Sequence, residues 1–279
     1  MRFVCYNERV PTPDDDGSTR DWSEVHFVLC DLDGVVWLAR QAIPGAPEAI
    51  ARLRAAGRRV VFVTNNSFSL LGDQEAALAT IDVPAVDDVA TSAQAAAFLV
   101  ESGETVLVCG GPGVYEAVSA RGATPVADGA ADAVIVGYHR TFDYERLRIA
   151  SDAVRKGARL LATNDDATYP TPEGLIPGGG AILAAVATAS GATPTIAGKP
   201  YPPMAALVRE RCGHEFSSRT AVMVGDRWST DGRFAEALGC PFALVRTGVT
   251  PPGATLEGTA ALDLPDLVAV ADVITGERS

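Results

Sequence analysis

Residues 25–37 read VHFVLCDLDGVVW, an apolar run that stops on Asp31 and continues with a second carboxylate, Asp33, and with Gly34. A short apolar run rich in β-branched residues and closed by a turn signal predicts a central strand buried on both faces. At the carboxyl end of such a strand in an open parallel sheet, side chains reach the crevice where ligands bind. Asp31 and Asp33 are one residue apart on an extended segment and so project to the same side. Like charges that close repel and raise one pKa unless a cation lies between them. Divalent-metal binding and phosphoryl chemistry both suit the pair: Asp31 stays ionised as a nucleophile, and Asp33 carries a proton as general acid and then base. A solvated Asp/Gly turn would use the same letters.

At 279 residues the chain exceeds one modest domain, so one large or two smaller units are expected. Hydrophobic residues at 47% and charged residues at 21% are ordinary for a globular protein. No apolar run approaches the ~20 residues of a bilayer span, so no membrane role is expected. The net charge of -12 argues against a nucleic-acid partner, which requires a basic face. It leaves phosphorylated small molecules open, because one cation and one lysine can reverse a local potential. Cys5, Cys30, Cys109, Cys212 and Cys240 are widely spaced, with no CxxC pair, and indicate neither a disulfide framework nor a zinc site. The amino terminus lacks a secretory pattern, and cytoplasmic residence is expected by default.

Three further strand tips carry polar chemistry. Residues 1–22 are polar and turn-rich and read as a loosely packed extension. A helix over 44–56, closed by Gly57, leads to a strand at 59–63 that ends on Thr64, Asn65, Asn66 and Ser67, hydroxyl and amide groups suited to phosphate oxygens or to capping the next helix. From 91 to 193 helices and strands alternate: helices at 94–100, 114–120, 144–155 and 181–189, strands at 105–109, 133–136 and 159–162. This predicts a second α/β unit. Its GGPG at 110–113 reads as a tight turn more readily than as a phosphate cradle. Asn164, Asp165 and Asp166 follow the 159–162 strand, as either turn formers or substrate contacts. In the last third, Gly198-Lys199-Pro200 precedes a helix, and a buried strand at 220–224 ends in GDRWSTD, with Asp226 at the tip and Asp231 near the start of a helix running to 238. Asp231 alone would read as a dipole-favoured cap.

Together, DLDG at 31–34, TNN at 64–66, GKP at 198–200 and GDRWSTD at 225–231 resemble the haloacid dehalogenase (HAD) superfamily. Their order, and the insert of roughly a hundred residues between the second and third, look like its NagD-like, class IIA phosphatases, similar to p-nitrophenylphosphatases. The resemblance spans residues 25–249. It implies an α/β fold, a Rossmann-like parallel-sheet core with an inserted α/β C2-type cap: core at 23–91 and 193–279, cap at 92–192.

It also implies a Mg²⁺-dependent phosphomonoester hydrolase acting through an aspartyl-phosphate on a small metabolite, of the glycerol phosphate, phosphoglycolate, pyridoxal phosphate or sugar phosphate class. Asp31 would be the nucleophile, Asp33 the acid and base, and Lys199 the offsetting cation. Thr64, Asn65, Asn66, Asn164 and Asp166 would hold substrate. Asp31, Asp226 and the Asp33 carbonyl would bind Mg²⁺, with Asp231 orienting that shell. Similar capped phosphatases pair through the cap, so a homodimer is expected. Two departures stand out. Residues 137–140 read GYHR, with His139 where relatives have an acid, and Asp165 occupies the middle of an N-P-D pattern. Two alternatives use part of the same chemistry: a phospho-accepting or phosphate-binding switch, and a dehalogenase-type hydrolase. Asp33 counts against both, and the insert against the switch.

Overall fold

The computed structural model of the chain describes residues 20–171 and 174–277. The extension expected over residues 1–22 lies outside the described residues as far as residue 19. Its end packs onto the body: Arg20 Nη2 donates to the Arg219 carbonyl at 2.6 Å, and Trp22 rests half-buried against the core.

In the first third of the chain, β1 (Phe27–Cys30) leads through a small hairpin, β2 (Trp37–Leu38) and β3 (Gln41–Ala42), to α1 (Ala46–Ala55). Then follow β4 (Arg59–Thr64), α2 (Leu71–Ala79) and β5 (Val89–Thr91). The middle of the chain holds α3 (Ser92–Ala97), β6 (Thr105–Cys109), α4 (Pro112–Ala120), β7 (Thr124–Val126) and β8 (Ala133–Val136). It continues with α5 (Tyr144–Arg155), β9 (Arg159–Ala162), the hairpin β10 (Thr168–Thr171) and β11 (Gly174–Pro177), α6 (Gly179–Ser190) and β12 (Thr195–Ile196). The last third contributes α7 (Pro202–Cys212), β13 (Ala221–Gly225), α8 (Arg233–Leu238), β14 (Phe242–Val245), β15 (Leu262–Leu264) and α9 (Leu267–Thr275).

Two parallel sheets result. The core sheet runs β15-β14-β13-β1-β4-β5 and the insert sheet β12-β9-β8-β6-β7. In the core sheet β1 is flanked by β4 on one side and β13 on the other, so successive strands depart in opposite directions from β1. That is the topological switch point at which open α/β sheets form their crevice. Side chains alternate across β1: Phe27 and Leu29 enter one apolar cluster, Val28 and Cys30 the other. Burial on both faces is why this strand reads as a continuous apolar run and not as alternation.

The strand β12 pairs with β9, so the insert sheet includes Thr195 and Ile196. The apolar cluster around Leu29 and Val61 runs on through Ala95, Ala96 and Ala97 of α3 to Val108 and Ile135 of the insert. A small-residue helix thus lets the two sheets share one core. The GGPG segment serves the same joint, since Gly113 N–H donates to the Phe68 carbonyl at 3.0 Å. A Cβ at Gly113 would lie 2.3 Å from the Ser69 carbonyl oxygen, which explains why the position has no side chain.

Candidate active site

The carboxyl ends of β13, β1 and β4 lie side by side and open into a cleft of about 1190 Å³ between the two sheets. Asp31, Asp33, Thr64, Asn65, Asn66, Asn164, Asp166, Lys199 and Asp226, all predicted from the sequence, line it. Asp231 does not; it is fully buried beneath the floor.

The floor is an ion-pair triad. Lys199 Nζ donates to Asp31 Oδ1 and to Asp231 Oδ1, each at 2.7 Å, and the lysine is only 2% exposed. Burial would depress an isolated ammonium, but the two carboxylates outweigh it and hold Lys199 above its ordinary value. Burial pushes the Asp31 carboxyl well above the carboxylate range; Lys199 opposes this, and Asp231 and Asp226 add to it. Asp226 is pushed up to about 6, first by burial and then by Asp231.

Local geometry explains how these acids are held. The ladder continues into Asp31, whose N–H donates to the Val224 carbonyl at 2.9 Å. The chain then turns tightly: Val36 and Trp37 donate to the Leu32 carbonyl at 2.9 and 3.1 Å, with Gly34 at φ +86°. A Cβ on Gly34 would lie 2.5 Å from Asp226 Oδ2, so only glycine meets both the left-handed turn and the close approach. Asp226 accepts from the Val249 N–H. Asp231 sits in a π-helical turn, Trp228–Gly232, and its Oδ2 accepts from the Arg227 N–H at 3.2 Å. Such turns recur at functional sites because the extra residue re-aims a side chain.

Asp31, Asp226 and Asp231 bring carboxylate oxygens within 4.8 Å of one another. Three carboxylates and one ammonium leave a formal charge of 3 − 1 = 2 negative units in a nearly buried floor. An all-oxygen donor set with that surplus fits a hard divalent cation such as Mg²⁺.

Asp33 stands apart from the triad at the open side of the cleft, its Oδ1 accepting from Trp37 Nε1 at 3.1 Å. Crowding by the cleft walls raises its pKa against that hydrogen bond, which favours a protonated carboxyl. Trp37, which sequence reasoning did not single out, therefore fixes the acid in place. Nothing in the spacing signalled it, since the contact needs the hairpin turn.

The polar tip of β4 proves to be a joint as well as a rim. Asn65 Oδ1 accepts from the Lys199 N–H at 2.8 Å, while its Nδ2 donates to the Lys199 carbonyl and to Asp166 Oδ2, both at 3.1 Å. Asn164 Nδ2 donates to the Asn65 carbonyl at 2.9 Å. The insert is thereby hydrogen-bonded to the floor through two of the residues expected to contact substrate. Burial raises Asp166, opposed by the Asn65 hydrogen bond. Asn66 Oδ1 accepts from the Phe68 and Ser69 N–H groups at 3.0 and 3.2 Å, shaping the turn ahead of α2. Asp165 accepts from the Tyr201 hydroxyl at 2.5 Å, a second tie between insert and core. His139 is half-buried and does not line the cleft, whereas its neighbours Tyr138 and Arg140 do.

With this geometry in hand, known proteins supply the lineage. A model of haloacid dehalogenase-like hydrolases matches residues 28–124, and a second HAD hydrolase-like model matches residues 196–273. An acid sugar phosphatase of Staphylococcus saprophyticus is 35% identical over 226 residues, covering 80% of this chain and 86% of the relative. The chain belongs to the haloacid dehalogenase-like hydrolases. Another relative in this HAD family, a D-glycerol 3-phosphate phosphatase of Mycobacterium tuberculosis, is 39% identical over 229 residues; the match covers 80% of this chain and 63% of that longer protein. Among solved HAD structures, a 4-nitrophenylphosphatase of Thermotoga maritima superposes with a TM-score of 0.84 at 29% identity, covering 91% of this chain and 99% of the other. A glycerol phosphate phosphatase of Mycobacterium tuberculosis, solved in complex with magnesium, gives 0.76 at 37% identity, covering 83% and 71%. The parallel-sheet α/β core expected from the four motifs is the fold of these HAD phosphatases, and this chain is a HAD-type phosphatase.

Proposed function

We propose that the chain hydrolyses a small phosphorylated metabolite, of the glycerol phosphate, phosphoglycolate, pyridoxal phosphate or sugar phosphate class, with the residue roles given below. The observation that carries this reading is the Lys199 bridge between Asp31 and Asp231 under a cleft whose open side holds the separate acid Asp33.

Asp31 attacks phosphorus in line: its oxygen–phosphorus bond forms as the bond from phosphorus to the leaving alcohol oxygen breaks, and Asp33 gives that oxygen its proton. Water then attacks the same phosphorus, its proton goes to Asp33, and the Asp31–phosphorus bond breaks, releasing inorganic phosphate. Lys199 opposes the burial that disfavours ionised Asp31 and aims its carboxylate, and Thr64 and Asn66 face the phosphoryl oxygens. Asn65, Asn164 and Asp166 hold the rim in register. When bound by Asp31, Asp226 and the Asp33 carbonyl, with Asp231 behind them, Mg²⁺ supplies positive charge against the phosphoryl oxygens. The core, expected at 23–91 and 193–279, supplies the floor, and the cap, expected at 92–192 but carried on to Ile196 by the pairing of β12 with β9, supplies the roof.

The proposal includes a cytoplasmic address and pairing of two copies through the cap. Cys30, Cys109, Cys212 and Cys240 are free and buried, which suits a reducing compartment. Pairing rests on the family resemblance.

Phosphate release from a panel of small phosphomonoesters, with and without Mg²⁺, tests the chemistry. Release is expected to need Mg²⁺ and to fall to background in Asp31→Asn. No release from any ester by folded protein would sink the hydrolase reading.

A further inference from the structure

The chemistry above uses neither Arg40 nor Arg140, although both line the cleft. Arg40 Nη2 donates to Ser69 Oγ at 3.3 Å, and the Arg140 guanidinium lies 5.1 Å from the Phe68 ring centroid. Two cations, one from a core hairpin and one from the insert, thus converge on consecutive residues of the loop after β4. Burial raises the Tyr169 hydroxyl and Asp33 adds to the rise, while Arg40 and Arg140 both act against it, so all three charges lie within electrostatic reach of that ring. Neither guanidinium forms an ion pair with a carboxylate among the described residues. Asp73 is exposed along the same wall and pairs with neither.

Two independent features point to a ligand here. Ala39 and Arg40 form the two-residue turn between β2 and β3 at φ +48° and +66°. Such turns favour Asn and Gly, and a bulky residue held there marks a functional constraint. Secondly, Gln74 is 1% exposed, lines the cleft, and leaves Nε2 without a hydrogen-bond partner among the described residues. Buried amides are normally satisfied, so an unused donor on a cleft wall calls for an acceptor from outside the chain. Tyr138, packed edge-on to Phe68 and stacked on Tyr169 at 5.5 Å, stiffens the apolar side of the same space.

We infer that Arg40, Arg140 and Gln74 form a leaving-group subsite for a second anion, so that the preferred substrate is a small phosphomonoester whose alcohol half carries a carboxylate or a further phosphate. Guanidinium groups match either anion, and unpaired ones at a partly desolvated mouth gain most from it. This rests on the phosphatase reading and specifies its substrate class.

The test compares glycerol phosphate, whose leaving group is neutral, with 2-phosphoglycolate and a sugar bisphosphate, which separate the carboxylate and phosphate sources. The wild type should show a KM roughly ten-fold lower for at least one anionic ester. Arg140→Ala and Arg40→Ala should each raise that KM by about ten-fold with kcat little changed, and Arg140→Lys should recover part of the loss. Equal KM values across the panel, or an Arg140→Ala effect of the same factor on glycerol phosphate, would overturn the subsite. Calorimetric binding of the same esters to Asp31→Asn protein reads the ranking without turnover. A preference for the anionic esters there with no hydrolysis by the wild type would overturn the phosphatase reading and keep the subsite. Hydrolysis with no preference would do the reverse.

Discussion

Lys199 shows how a single side chain can serve both chemistry and stability. It is almost completely buried and is the counter-ion of two carboxylates at once. Removing one partner of a buried ion-pair network leaves the others uncompensated, which costs about 3–5 kcal/mol. Lys199→Met should therefore destabilise the metal-free protein by roughly that amount in urea unfolding with a chelator present, and it should also abolish turnover. A loss under about 1 kcal/mol would mean that Asp31 and Asp231 find protons or water instead. The residue identities were legible beforehand because Asp31, Asp33, Asn65 and Asp226 stand at or just past the ends of apolar strands, while Lys199 and Asp231 stood out through the order of the four motifs. The sequence also set Asp31 apart as nucleophile from Asp33 as acid and base; what it did not carry is the Trp37 hydrogen bond at 3.1 Å that holds Asp33 out of the triad. Arg40 and Arg140 left no signal, since a lone arginine in a polar stretch is the ordinary surface residue.

Elements followed periodicity where a strand or helix is long and its burial simple. The strands β6, β8 and β9 and the helix α5 have the predicted limits. Differences collect at ends that tertiary contacts decide. The helix expected over 94–100 is α3, Ser92–Ala97, because Thr91 caps it and forms a reciprocal capping box with Gln94. The helix expected over 44–56 begins at Ala46, after Gly45 in the left-handed region. The π-helical turn at Trp228–Gly232 is invisible to a 3.6-residue pattern, since it exists to place Asp231 under Lys199. The strand β4 carries the Thr64–Asn66 tip and contributes Phe62, fully buried against the second apolar cluster. Phe62→Ala should cost about 3–5 kcal/mol in chemical denaturation, as large-to-small changes in well-packed cores do. Loss of activity in step with unfolding, and not before it, would show that β4 acts on the site only by holding its tip.

Over the whole molecule, two parallel sheets share an apolar cluster and enclose the cleft between them, so the insert is a wall of the site and not an appendage. Light scattering on a sizing column checks the proposed pairing: twice the chain mass is expected at micromolar concentration, and a clean monomer there would remove pairing from the proposal. The net charge of -12 leaves the molecule acidic, and in the cleft Lys199, Arg40, Arg140 and Arg227 stand against Asp31, Asp33, Asp73, Asp166 and Asp226, so the cations offset most of the local negative charge without reversing it. The sequence by itself determined the parallel α/β architecture and the motif residues of the catalytic floor, because buried strands must be apolar and the acids that end them break that pattern. Only the tertiary structure decided which acids meet, that the insert is bonded to the floor through Asn164 and Asp166, and that Arg40 and Arg140 converge on one loop. These rest on contacts between distant segments, 101 residues apart for Asn65 and Asp166 and 168 for Asp31 and Lys199, and no local periodicity encodes them.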